Sequence, residues 1–303
     1  MTNIEKKVIT LIEGEGPLTG AELISYTNAD PLLLLRTCRL SNNLSTQTVG
    51  TRYLRFDRRI EGFARLSPSI LREFLTYSII GLSSDQISLE IKVHKISSHI
   101  EDVSRAKSDL AYNVVSALAG RLGNDSLENR ACFIIAGDIV FNMAHDVPRP
   151  ERSTGKMVKG SDIDLVVIVN DQSPVKLMQR LDEEVYREKQ DLLLNPYIKE
   201  EIDYVIKDLA RVREQVKFDT FKHMVACKIL QEGTLLFGSE EIFHNVKVML
   251  RDYGVIEKIL TMEARAKAFR KSAEEYIIHE DPKRIESENL YLFYPTEESE
   301  EFE

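Results

Sequence analysis

Tryptophan is absent from this chain of 303 residues, and cysteine and proline are scarce. The three cysteines, Cys38, Cys132 and Cys227, lie far apart in apolar contexts and form no cluster with metal-ligand spacing. Buried free thiols in a reducing cytoplasm are therefore expected. No apolar run approaches the length of a bilayer span, and the first residues lack the pattern of a signal peptide, so no membrane contact is expected. Excess positive charge is also missing. A formal net charge of −9 argues against broad coating of nucleic acid. The imbalance is uneven, however: residues 1–80 carry 10 Lys and Arg against 8 Asp and Glu, which leaves room for a local basic patch.

The 43% of hydrophobic residues can fill the cores of two domains. The most informative stretch is Gly160-Ser161-Asp162-Ile163-Asp164, which opens the apolar run Leu165 to Val169. Residues two apart on a strand share a face, so Asp162 and Asp164 are expected to project together from one edge of a sheet. Paired carboxylates there raise each other's pKa unless a cation lies between them. Mg²⁺ suits the place, because it takes oxygen ligands and is held by one or two carboxylates with substrate phosphates.

Other pieces flank this pair in order. Ala131 to Ala136 reads as a buried strand ending at Gly137, with a short helix expected over Ile139 to Ala144. Glu201 to Ile206 reads as a second strand carrying Asp203. Ile229 to Ser239 reads as the end of a helix, a turn and a strand. Over residues 105–240 this order resembles the polymerase-beta-like nucleotidyltransferase superfamily, of the minimal nucleotidyltransferase type. The resemblance implies an α+β fold with a short mixed sheet. It implies that Asp162, Asp164 and Asp203 are catalytic and hold Mg²⁺ or Mn²⁺. It also implies an NTP substrate, ATP among the candidates, with Gly137, Gly160, Ser161 and Lys222 at the nucleotide.

Two departures from the family pattern stand out. The family turn is Gly-Ser or Gly-Gly, whereas here it is Gly137-Asp138. An aspartate there repels a triphosphate unless it turns away or caps the helix. The segment His145 to Lys159 is longer than the family norm and rich in Pro and basic residues. It is expected to lie at the mouth of the site, with Arg149, Arg152, Lys156 and Lys159 near the triphosphate.

Ahead of this core the sequence suggests three short helices. A capping box at Thr19 and Glu22 opens the second, and Asp30-Pro31 opens the third. Gln47 to Phe56 follows as a strand or hairpin, so the segment resembles a winged helix-turn-helix. Arg52, Arg55, Arg58 and Arg59 interleave with Tyr53 and Phe56, a pattern suited to nucleic acid or equally to a solvated wing tip. Arg36 and Arg39 share a helix face, but the leucine-rich character of that helix speaks against DNA reading and suits a homodimer interface. Residues 66–123 read as mostly helical, including apolar Pro68 to Leu82.

The expected domains are 1–82, winged-helix-like; 83–245, catalytic; and 246–303, helical with an acidic disordered tail after an aromatic stretch, Leu290 to Tyr294. The expected reaction is transfer of an NMP group to a hydroxyl acceptor on RNA, protein or a small molecule. The alternative is a nucleic-acid-binding regulator on a degenerate nucleotidyltransferase fold.

Overall fold

A computed structural model describes residues 2–123, 127–151, 153–288 and 292–293. Arg152, most of the aromatic stretch and the acidic tail lie outside the described residues. The chain divides into two units, one drawn from residues 1–99 and 262–299 and the other centred on residues 100–261. The fold is α+β, with helices before and after a four-stranded mixed sheet.

The first unit opens with α1 (Asn3–Glu15), β1 (Leu18–Thr19), α2 (Gly20–Thr27) and α3 (Pro31–Leu40). Local chemistry sets these boundaries. Thr2 with Glu5 and Thr19 with Glu22 form capping boxes, which satisfy amides that α1 and α2 would leave bare. Asp30 accepts from the amide of Leu33 ahead of Pro31 at the start of α3. Next come β2 (Leu44–Thr48), the hairpin β3 (Tyr53–Phe56) and β4 (Ala64–Ser67), and β5 (Ser78–Leu82). The three-stranded sheet has the order β1-β5-β2 and is antiparallel.

The expected helix over Pro68 to Leu82 is corrected by this sheet. Only short helical turns occupy Ile70–Tyr77, and Ser78–Leu82 is its central strand. Ile79 and Ile80 are both fully buried, so this strand shows a continuous apolar run rather than alternation, and periodicity cannot tell it from a helix. The boundary drawn at residue 246 also differs from the observed division. Ala273 and Ile277 join Leu32, Leu34, Leu35 and Cys38 of α3 in one core, which ties the later helices to the first unit. Burying each of these leucines and Ile277 contributes roughly 2 kcal/mol.

Helix α4 (Gln86–Leu122), longer than the expected Ile100–Leu122, starts within the first unit's residues and continues in the second, where β6 (Ala131–Ala136) follows. A small hairpin, β7 (Pro148–Pro150) with β8 (Met157–Lys159), precedes β9 (Ile163–Val169). Then follow α5 (Val175–Leu194), β10 (Ile202–Asp208), α6 (Leu209–Gln215), α7 (Phe221–Glu232) and β11 (Thr234–Gly238). Helix α8 (Glu240–Asp252) follows in the second unit, whereas α9 (Val255–His279) continues past residue 261 into the residues of the first unit, which also hold α10 (Pro282–Glu288). The four-stranded sheet is mixed, with order β10-β9-β6-β11; only β10 and β9 run parallel. Ile163, Leu165, Val167 and Val169 share a core with Ala111, Val115 and Leu118 of α4 and Leu181 and Val185 of α5. Strand alternation turns Asp164 to the opposite face.

Candidate active site

Pairing of β9 with β10 sets Asp164 directly beside Asp203 in parallel register. Pairing of β9 with β6 sets Ala136 on the other side of Asp164. Gly137 follows at once, with φ +71, and a Cβ on it would stand 1.9 Å from Asp164 Oδ2. Only glycine accepts both that conformation and that contact. The space beside the turn is thus taken by the carboxylate of Asp164.

The turn itself is a five-residue 3₁₀ helix, Gly137–Phe141, ended by Asn142 in the left-handed region, in place of the helix expected over Ile139 to Ala144. Asp138 does turn inward. It is buried, and its Oδ2 accepts a 2.6 Å hydrogen bond from the hydroxyl of Ser161. Ser161 Oγ in turn accepts from the amide of His145. Ser161 therefore ties two loops together in this structure. Gly160, with φ +63, lets its backbone approach the carbonyl of His145, since a Cβ there would stand 1.8 Å from that oxygen. The amide of Gly137 donates to Glu232, which also pairs with Lys228 at 2.8 Å. Lys228 and Glu232 are both nearly buried, on α7.

Cations accompany the acids. Arg149, on β7, has Nη1 3.0 Å from Glu201 Oε2 and Nη2 3.5 Å from Asp162 Oδ2. Its Nε donates to the carbonyl of Gly160 at 2.7 Å. Lys189, on α5, donates to Asp203 Oδ1 at 2.9 Å. Glu201 is buried, and its Oε2 makes an ion pair without a hydrogen bond. Burial pushes its pKa up to about 7 against the pull of Arg149, and Asp203, Asp162 and Glu151 add to the rise. These neighbours place Glu201 within the same electrostatic cluster as the aspartates.

Within the segment expected as a loop, Pro148–Pro150 and Met157–Lys159 pair as an antiparallel hairpin. Glu151 accepts hydrogen bonds from the amides and hydroxyls of Ser153 and Thr154, which hold its carboxyl down to about 2. Lys159 donates to the carbonyl of Tyr197, whereas Lys156 is exposed on the hairpin turn. Lys222 lies in the first turn of α7, six residues from Lys228, or about 9 Å along the axis. Lys228, whose partner Glu232 bonds Gly137, is the lysine of α7 tied to the turn.

Arg52 is held in the first unit by Glu73 at 2.6 Å and Glu274 at 2.8 Å, which makes it part of an ion-pair network. Arg55 lies on β3, while Arg58 and Arg59 are exposed in the turn that follows it. Arg36 donates to the carbonyls of Ile277 and Glu280 at the end of α9.

Sequence reasoning missed Glu201 and Lys189 as members of the site. The signal for Glu201 was present, because Glu201-x-Asp203 repeats the acid spacing of Asp162-x-Asp164 on the adjacent strand. A divalent cation is tested by this donor set. The carboxylates are all oxygen donors, register-matched and partly exposed, which fits Mg²⁺ or Mn²⁺ in chemistry. Among the described residues no three acidic, histidine or cysteine side chains converge closely enough to grip one. Arg149 and Lys189 hold two of the three aspartates.

A family model described as the nucleotidyltransferase domain matches residues 152–236. That segment, which holds Asp162, Asp164, Asp203 and Lys222, is similar to a nucleotidyltransferase domain, and the match supports the polymerase-beta-like nucleotidyltransferase superfamily. The match begins beyond Gly137-Asp138, so the departing turn lies outside it. A search of curated proteins finds no match. No helix among the described residues is long and apolar enough to cross a membrane.

Proposed function

We propose that the protein transfers a nucleoside monophosphate from an NTP to a hydroxyl acceptor, with release of pyrophosphate. The observation that carries this reading is the in-register pair Asp164 and Asp203, with Asp162 two residues before Asp164 and Gly137 closing one side of Asp164. In the reaction the acceptor oxygen forms a bond to the α-phosphorus, the bond to the β-phosphate oxygen breaks, and the acceptor proton leaves. Asp203 is the base that receives this proton. Asp162, Asp164 and Asp203 would hold Mg²⁺ or Mn²⁺, which when bound lowers the acceptor's pKa and offsets charge on the phosphates. Exposed Lys156 on the hairpin and Lys222 on α7 are assigned to the phosphates. Gly137, Gly160 and Ser161 act indirectly, by shaping the turn that fixes Asp164.

ATP is the first NTP to test, and RNA ends, protein side chains and hydroxylated small molecules are the acceptor classes. Three buried free thiols suit a reducing cytoplasm. The order α1-β1-α2-α3-β2-β5 with sheet order β1-β5-β2 supports a winged-helix reading of the first unit. Packing of α3 against Ala273 and Ile277, with Arg36 on the end of α9, argues against DNA reading by that helix. It equally counts against α3 as a homodimer face. The assay is incubation with each α-phosphate-labelled NTP and separate pools of RNA, protein and small molecules. Label entering one pool, and lost in Asp164→Asn, supports the reading; no label in any pool with wild type counts against it.

A further inference from the structure

The acid edge carries its own cations. Asp162, Glu201 and Asp203 are each in contact with a basic side chain. Arg149 spans Asp162 and Glu201, and is fixed by its Nε bond to the Gly160 carbonyl. Lys189 reaches Asp203 from α5. Glu201 is the buried anchor, 5% exposed, whereas the side chains of Asp162 and Asp203 are 37% and 33% exposed. The contacts also differ in length: Arg149 is 3.0 Å from Glu201 but 3.5 Å from Asp162.

From this geometry we infer that Arg149 and Lys189 are built-in countercations that a divalent metal must displace from Asp162 and Asp203. The inference rests on the nucleotidyltransferase reading for the identity of the metal ligands. Without metal the two cations keep like charges from repelling one another on adjacent strands. The Arg149–Glu201 contact persists when metal enters, because Glu201 is buried and needs a cation nearby. The Arg149–Asp162 and Lys189–Asp203 contacts give way. Arg149 and Lys189 are thus positioning residues, and their presence weakens metal binding to the free protein.

The test is Mn²⁺ binding to the full-length, nucleotide-free protein, read by electron paramagnetic resonance. Arg149→Gln and Lys189→Gln should each tighten Mn²⁺ binding about ten-fold. Lys176→Gln, an exposed residue at the start of α5, removes the same charge and should leave binding unchanged. Because Arg149→Gln leaves Glu201 buried beside no cation, Arg149→Gln/Glu201→Gln is measured as well and should keep the tighter binding. Asp164→Asn should lose Mn²⁺ binding in every background. Binding that is unchanged or weaker in both single variants, while wild type binds and Asp164→Asn does not, overturns the countercation role alone. An equal gain in Lys176→Gln also overturns it, by showing a net-charge effect. Absence of Mn²⁺ binding in wild type and all variants overturns both this inference and the proposed metal site.

Discussion

Asp164 and Asp203 occupy the same register position on neighbouring parallel strands, so their side chains leave one face of the sheet side by side. Strand pairing, not chance proximity of loops, brings together two acids 39 residues apart in the chain. Replacing Asp164 by Asn keeps the shape and removes the charge. Transfer should fall at least about a thousand-fold, ~4 kcal/mol of transition-state stabilisation, while the thermal midpoint stays within a few degrees of wild type. Turnover close to wild type in Mg²⁺ would remove Asp164 from the site.

Gly137 is constrained from two directions, by its φ of +71 and by Asp164 Oδ2. Gly137→Ala should cost about 2 kcal/mol in strain and push the carboxylate aside, so activity should fall by more than the loss of folded protein explains. Urea unfolding together with specific activity per folded molecule separates the two effects. Unaltered stability and activity would mean that the turn relaxes freely.

Glu201 supplies a pH signature. Its folded pKa of about 7 lies above the ordinary 4.5, so the fold binds this proton more tightly than the unfolded chain does. Its contribution to stability is present below about pH 4.5 and is lost as pH rises through 7. Glu201→Gln should therefore flatten the decline in urea midpoint between pH 5 and 8. Parallel curves for variant and wild type across that window would contradict the raised value.

Arg52 should behave as a structural residue. Its partner Glu73 is buried and also lies 3.1 Å from Arg270, so Arg52→Ala should lower stability by about 2 kcal/mol. If the first unit binds nucleic acid, the salt dependence of that binding should be unchanged in this variant and flatter when Arg55, Arg58 and Arg59 are replaced by Ala. A slope altered by Arg52→Ala alone would reverse that assignment.

Much of the site was legible because its acids follow strand periodicity. Asp162 and Asp164 open an apolar run, and the capping residues Thr19 and Asp30 mark helix starts through purely local hydrogen bonds. What the sequence hid depends on contacts between distant residues. Nothing local says that Asp138 will accept from Ser161, or that Lys189 on a crossing helix will reach Asp203. The strand at Ser78–Leu82 was concealed for a different reason: flanked by β1 and β2, it has no polar face to show a period of two. The hairpin over residues 148–159 reads as loop because its order comes from Glu151 binding its own turn and from Arg149 binding acids elsewhere.

The central claim is metal-dependent nucleotidyl transfer from the acid edge of the four-stranded sheet. It is tested most directly by following label from α-³²P-NTP into acceptor, together with pyrophosphate release, for wild type and Asp162→Asn/Asp164→Asn in Mg²⁺ or Mn²⁺. Equal amounts of incorporated label and pyrophosphate are expected for wild type, neither without metal, and neither for the double variant. Label incorporation by the double variant at the wild-type rate would contradict the claim.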